Sequence, residues 1–178
     1  EIQAFLNSKV PTCETNHPQG SYPYPPPYIC LKDYSTTTDF MPADPFCKSV
    51  GGGVKTSAQI IKEVADACSV SPKVLLVLLQ KEQILVTDTW PLPSQYTKAT
   101  GFACPDSDLG SDVDANNNNC YDAYEGFFKQ VYYGARQYQR YAKQPHLYNF
   151  RAGQTTSILY NPNTSCGSSI VTLQNQAT

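Results

Sequence analysis

The sequence lacks the features that would place it in several large classes of protein. Its 178 residues contain no run of Lys or Arg, and its 13 basic and 15 acidic side chains nearly cancel. Nothing could therefore neutralise a row of phosphates, and nucleic acid is not an expected partner. No stretch approaches the roughly 20 apolar residues that a membrane-spanning helix needs. The richest run, Val74 to Leu79, is followed at once by Gln80, Lys81 and Glu82. With only two histidines and no Cys-x-x-Cys pair, a zinc site is disfavoured and no cofactor is required. No internal repeat is present. A single methionine, few lysines and 13 tyrosines suit an extracellular protein.

What the chain does have is cysteine, proline and asparagine in long irregular stretches. Seven cysteines (Cys13, Cys30, Cys47, Cys68, Cys104, Cys120 and Cys166) are spread singly beside loops rich in Pro, Asn and Gly, the pattern of cross-links made in an oxidising compartment. Proximity along the chain suggests Cys13 with Cys30, Cys47 with Cys68 and Cys104 with Cys120. Cys166 is then left as a buried free thiol, as a partner in some other pairing, or as a sign that the natural chain continues past Thr178. The start at Glu1 without methionine is what signal-peptide removal leaves, and a trimmed fragment would look the same. A secreted or cell-surface location is expected.

Residues 1–56 read as an irregular, proline-rich extension. Glu1 to Asn7 suits a short helix, and Tyr22-Pro-Tyr-Pro-Pro-Pro-Tyr28 reads as polyproline II. After Gly51 to Gly53 the apolar spacing becomes helical. Ser57 is a candidate N-cap for a helix ending near Ser69, with Ile60, Ile61, Val64, Ala65 and Cys68 on one face. Ser71-Pro72 opens a second helix running to about Val86, whose start is apolar all round and therefore predicts a central buried helix. Residues 87–121 read as a long loop, and Tyr121 to about Ala142 as a third helix. On that helix the stripe containing Tyr124, Tyr132, Tyr133 and Tyr138 predicts core packing. A short strand is expected at Ile170 to Leu173.

Within the second helix, Glu82 shares a face with Leu75, Leu78, Leu79 and Val86. A carboxyl group held on an inward face loses solvation and keeps its proton to higher pH, as a glycosidase acid must. The competing reading places Glu82 at the wet end of the helix among solvated neighbours. Trp90, Gln95 and Tyr96 follow on the adjacent loop as candidate substrate-binding residues, because flat rings with polar tips suit sugars. Trp90 capping the core is the alternative. Asp88 and Asp106 are the nearest candidates for a second carboxylate. The spacing Asp114-x-Asn116-x-Asn118-Asn119-x-x-Asp122-x-x-Glu125 approximates a calcium loop with Asn119 in the usual glycine place, and such tracts also form plain turns.

The stretch Ala58-Gln-Ile-Ile-Lys-Glu-Val-Ala-Asp-Ala-Cys-Ser-Val-Ser-Pro-Lys-Val-Leu-Leu-Val-Leu-Leu-Gln-Lys-Glu82-Gln83 resembles the opening of the soluble lytic transglycosylases and goose-type lysozymes. There, two helices and a short turn deliver the catalytic glutamate, so the resemblance implies that role for Glu82. The family usually reads Glu-Ser with a glycine soon after, where this chain reads Glu82-Gln83-Ile84-Leu85. Ala99-Thr-Gly101-Phe102-Ala103 falls where the family has a Gly-Leu-Met-Gln loop. Leu147-Tyr148-Asn149-Phe-Arg-Ala-Gly153 resembles its Ala-Tyr-Asn-Ala-Gly motif, which adds Tyr148 as a substrate-binding candidate.

Gln80 to Gln83, Thr87 to Pro91, Gly126 to Tyr132 and Cys166 to Ser169 also resemble secreted actinobacterial proteins that carry no established activity. The resemblance to the lytic transglycosylases and goose-type lysozymes implies a mainly α fold, with a lysozyme-like helical domain over 57–178 behind the extension at 1–56. It further implies cleavage of the bond between N-acetylmuramic acid and N-acetylglucosamine in a cell-wall glycan, by hydrolysis or by transglycosylation, in a monomer. A glycan-binding module or surface adhesin without catalysis is the alternative, and a surface antigen or structural domain with neither activity is a third.

Overall fold

The computed structural model describes residues 1–107 and 109–174, which fall into two compact units, Glu1–Arg136 and Gln137–Thr178. The expectation of a mainly α chain is corrected. Among the described residues five α-helices take up only about a third, and two small antiparallel sheets accompany them. The cause is the punctuation of the chain, whose 14 prolines, 10 glycines and Asp/Asn-rich tract leave long stretches unable to sustain helical hydrogen bonding.

In the first unit, α1 (Ile2–Lys9) precedes the irregular arm. Strand β1 (Ser35–Thr38) pairs with β2 (Gly53–Thr56) from Ser35 opposite Thr56 to Thr38 opposite Gly53. Chain direction then passes straight into α2 (Ser57–Cys68). The N-cap of α2 is Thr56 rather than Ser57. The Thr56 hydroxyl accepts from the Gln59 N–H, and the Gln59 side chain accepts from the Thr56 N–H, so two orphan donors are satisfied together. Ser57 is instead fully buried and donates its hydroxyl hydrogen to the Leu31 carbonyl. As expected, Ser71 caps α3 (Pro72–Gln83), with Pro72 at its first position.

The expectation of an all-round buried α3 is also corrected. Leu75 and Leu79 are 1% and 0% exposed, while Val74 and Val77 are 39% and 66% exposed. Helix α3 packs on α2 with one side, and its other side borders a groove of about 580 Å³ shared with Ile2, Phe5 and Lys9 of α1. It stops at Gln83, before the predicted Val86, because Ile84 takes a left-handed φ of 60° and its N–H bonds back to the Gln80 and Leu79 carbonyls.

A short α4 (Pro93–Thr97) follows, and the third predicted helix begins at Phe127 rather than Tyr121, as α5 (Phe127–Lys143). Gly126, at φ +90°, turns the chain into it. The core joins Leu6, Leu31, Ile60, Ile61, Val64, Leu75, Leu79, Leu85, Phe127, Val131 and Tyr132. Each such side chain contributes about 1.5–3 kcal/mol when fully buried.

Three disulfides connect Cys13 to Cys30, Cys47 to Cys68 and Cys104 to Cys120, as proximity suggested. They are compatible with an extracellular protein. The second joins the loop after β1 to the end of α2, and beside it Asp44 receives the Arg136 guanidinium and the N–H groups of Phe46 and Cys47. Burial works against the Asp44 charge. The Cys47 N–H, the Arg136 hydrogen bond and the Phe46 N–H outweigh it and hold the carboxyl below its ordinary value. No helix among the described residues is long and apolar enough to cross a membrane.

In the second unit, residues 137–143 complete α5. Strand β3 (Thr155–Leu159) pairs with β4 (Ser168–Thr172), from Thr155 opposite Thr172 to Leu159 opposite Ser168. The strand predicted at 170–173 is therefore one half of a hairpin. Cys166 lies in the turn between its strands as an exposed free thiol, not a buried one.

Candidate active site and its supporting loop

Glu82 sits in the last turn of α3, with its side chain 30% exposed. The Lys81 ammonium donates to Oε1 at 2.6 Å. The other oxygen faces Gly101, where a Cβ would stand 3.4 Å from Oε2. The placement lies between the two alternatives, since the carboxylate is neither deeply enclosed nor held out in open water.

Gly101 is a position that favours glycine, with φ +69° and the carboxylate close to its pro-Cβ side. Its loop is held from below by Gln130 of α5, whose side chain is completely buried. Gln130 Oε1 accepts from the N–H of Thr100 and the N–H of Phe102, both at 3.1 Å, and from the Thr100 hydroxyl at 3.2 Å. Its Nε2 donates to the carbonyls of Phe102 and Tyr124 at 2.8 and 2.9 Å. One amide thus fixes the residues on both sides of Gly101 and ties them to the segment before α5. Gly134, one turn along α5, leaves room for this approach. A Cβ there would meet Thr100 Oγ1 at 3.2 Å and the Leu78 side chain at 3.4 Å.

Around the loop stands a group of rings, two of which, Tyr124 and Tyr133, were expected in the core. Phe102 lies 5.3 Å from Tyr124 and 5.6 Å from Tyr133, and Tyr124 lies 4.7 Å from Tyr133 and 6.3 Å from Tyr121. Of the expected core tyrosines only Tyr132 is buried. Phe102, Tyr124 and Tyr133 are half-buried and Tyr121 is exposed. The Cys104–Cys120 disulfide and the hydrogen bond from Tyr121 N–H to the Ala103 carbonyl hold the two segments side by side.

The residues predicted to bind substrate are engaged elsewhere. Gln95 donates to the Gln83 carbonyl at 2.7 Å and to Asp88 Oδ2 at 2.9 Å, while its oxygen accepts from Leu92 N–H at 2.6 Å. It is a strut that braces the end of α3 beside Glu82. Asp88 also accepts from Trp90 N–H at 3.0 Å, so both of its carboxylate oxygens are occupied within the turn. Trp90 stacks on His17 of the N-terminal arm, with centroids 4.2 Å apart and planes 3° from parallel.

Tyr96 is 5% exposed, stacks on Tyr34 at 3.9 Å and donates its hydroxyl to the Ile29 carbonyl at 2.6 Å. Burial, reinforced by Tyr34, Asp88 and Asp33, raises its phenol above the ordinary range. With Tyr34, Pro93 and Phe127 it borders a pocket of about 300 Å³. Tyr148 belongs to the second unit, where Gln137 donates to its hydroxyl at 3.0 Å and Tyr141 packs edge-on at 4.6 Å. Asp106 is exposed.

Comparison of the chain with models of protein families, with curated proteins and with solved structures finds no match. The functional reading therefore stands on the side chains themselves.

In the Asp/Asn-rich tract, Asp108 lies outside the described residues. Asn119 is left-handed, at φ 64°, in the place where a calcium loop has glycine. Most oxygens of the candidate ligands accept from N–H donors, while Asp122 Oδ1 is buried without a partner among the described residues. Asp114, 2% exposed, accepts from the N–H groups of Asn118 and Asn119, Asp122 accepts from Ala115 N–H, and Glu125 accepts from the side-chain amides of Asn116 and Asn118. Among the described residues no group of three or more His, Cys, Asp or Glu is arranged to hold a metal ion.

Proposed function

We propose that the chain is a secreted peptidoglycan-cleaving glycosidase in which Glu82 donates the proton to the glycosidic oxygen between N-acetylmuramic acid and N-acetylglucosamine. The observation that carries this reading is the half-shielded Glu82 carboxylate set against Gly101, on a loop that the fully buried Gln130 fixes with four hydrogen bonds while a fifth ties it to Tyr124. An ordinary surface glutamate needs no such support, whereas a catalytic acid needs its surroundings fixed before the substrate arrives. The absence of a Cβ at Gly101 lets a substrate oxygen approach Oε2 from the loop side.

Lys81 occupies Oε1, which leaves Oε2, on the Gly101 side, as the oxygen that meets the glycan. Asp88 has both oxygens committed within its turn, which favours the route in which the substrate's own hydroxyl attacks the anomeric carbon and no second carboxylate is used. The cell-wall glycan is the partner, and the chain acts as a monomer outside the cytoplasm.

The Lys81 contact supports a second reading, a glycan-binding module without turnover, because one of the two Glu82 oxygens is already held by the ammonium. Clearing of a purified peptidoglycan suspension by wild type, Glu82→Gln and Lys81→Ala separates the two. Catalysis requires clearing by wild type and loss of at least about a hundredfold in Glu82→Gln, the scale of one general acid. Equal clearing by wild type and Glu82→Gln would exclude Glu82 as the acid. Binding by all three without clearing would establish the second reading.

A further inference from the structure

We infer that the rings of Phe102, Tyr121, Tyr124 and Tyr133 form a carbohydrate-binding shelf beside Glu82, and that this shelf, not Trp90, Gln95 and Tyr96, holds the sugar. The inference rests on the reading of Glu82 as part of a glycan site, but it does not require turnover.

Four large aromatic side chains from three separated segments meet here at the edge of the core, with Tyr133 packed against it and none fully enclosed. Tyr121 retains 37% of its surface, and Phe102, Tyr124 and Tyr133 are half-buried. The hydroxyls of Tyr121, Tyr124 and Tyr133 take no hydrogen bond from another described residue, in contrast to Tyr28, Tyr96 and Tyr148, whose hydroxyls are engaged. Rings that exist only to fill space are normally enclosed, and their polar tips find partners inside the fold.

The rings are also pre-set. Gln130 bonds both the N–H and the carbonyl of Phe102 and the carbonyl of Tyr124, so the backbones of two rings are fastened to the same amide. Tyr121 is fastened through its N–H to Ala103 and by the adjacent disulfide, and Tyr133 lies within α5. A surface ordered in advance loses little entropy when a ligand binds.

The chemistry of the surface selects the ligand class. A pyranose offers an apolar C–H face to a ring and hydroxyls to the phenol oxygens at its edge. The shelf's own side chains are one phenyl and three phenol rings, with no carboxylate or amine among them. Burial acts first on Tyr133 and raises its phenol further, with Tyr124 adding to the effect. Phe102 directly follows Gly101, and the same loop therefore joins the shelf to the Glu82 carboxylate.

The test is titration of the full chain with the β-1,4-linked tetramer of N-acetylglucosamine, followed by calorimetry or by NMR of the tyrosine rings, and co-sedimentation with purified peptidoglycan. Tyr121→Leu and Tyr124→Leu keep apolar bulk and remove the flat ring, and Trp90→Leu is the comparison. Near-UV circular dichroism checks the fold, and Tyr121 is exposed enough that its replacement leaves the core intact. The expected result is an affinity loss of about three- to tenfold in each shelf variant and little change in Trp90→Leu.

Wild type that binds neither probe, shelf variants that bind like wild type, or loss confined to Trp90→Leu would each overturn the inference. Binding that depends on the shelf in a wild type without turnover upholds the shelf and removes the catalytic reading. Turnover with an unchanged KM in both shelf variants does the reverse.

Discussion

Replacing Gln130 by leucine isolates the support beneath the Glu82 site. Leucine fits the volume and is at home on the buried face of α5, so the change removes polar contacts without opening a large cavity. Four backbone groups lose their partner: Thr100 N–H, Phe102 N–H, Phe102 carbonyl and Tyr124 carbonyl. The Thr100 hydroxyl keeps its bond to the Gln130 backbone carbonyl at 2.8 Å. An orphaned buried group costs about 1–3 kcal/mol. Phe102 is half-exposed and can recover water, whereas Thr100 is 7% exposed and cannot do so readily. The net loss, after the gain from the leucine, is about 3 kcal/mol. Urea unfolding followed by far-UV circular dichroism measures it, and hydrogen exchange at residues 99–104 locates it. A loss under about 1 kcal/mol, with unchanged protection at Thr100 and Phe102, would refute the claim that this amide fixes the loop.

Gly101→Ala forces a Cβ into a left-handed position facing Glu82, and is expected to cost about 1–2 kcal/mol by the same unfolding assay. At Ile84, φ 60° inverts the usual helix preference. Ile84→Gly should be more stable than Ile84→Ala by about 1 kcal/mol, whereas in a right-handed helix the order is opposite. The depressed Asp44 carboxyl contributes stability that is fully present above the ordinary carboxyl value of 3.8 and is lost as pH falls through its lower folded value. Thermal scans from pH 5 down to pH 2 should therefore show a smaller acid-induced loss in Asp44→Asn than in wild type, and parallel curves would contradict the assignment.

The helices that carry their own local signals were legible in the sequence. Ser71-Pro72 marked the start of α3, and the apolar spacing from Ile60 to Cys68 marked α2. Their ends were harder to place. Nothing in the periodicity announces that Ile84, a β-branched residue, would adopt the left-handed conformation that stops α3. Gly126 placed the start of α5 six residues later than the aromatic pattern suggested.

The mainly α expectation failed because strands such as Ser35–Thr38 are short and rich in Thr and Ser, with no alternation to read, and are defined only by their partner strand. At the site, Glu82 was visible as a carboxyl group on an apolar face. Gln130 carried a comparable signal, a polar residue among Phe127, Val131 and Gly134 at helical spacing. The shelf had none, because it depends on loops 101–104 and 120–124 being folded against α5. Trp90 and Tyr96 were attractive for their chemistry, but contacts with the distant N-terminal arm, at His17 and Ile29, engage their rings and the Tyr96 hydroxyl.

The most direct test of the account is mass analysis of the soluble fragments released from purified peptidoglycan by wild type and Glu82→Gln. Attack by the substrate's own hydroxyl predicts wild-type disaccharide fragments that lack one water relative to hydrolysis products, and their loss in Glu82→Gln. Fragment release that is the same in both proteins, or no release by a wild type shown to bind the glycan, would contradict the claim that Glu82 cleaves it.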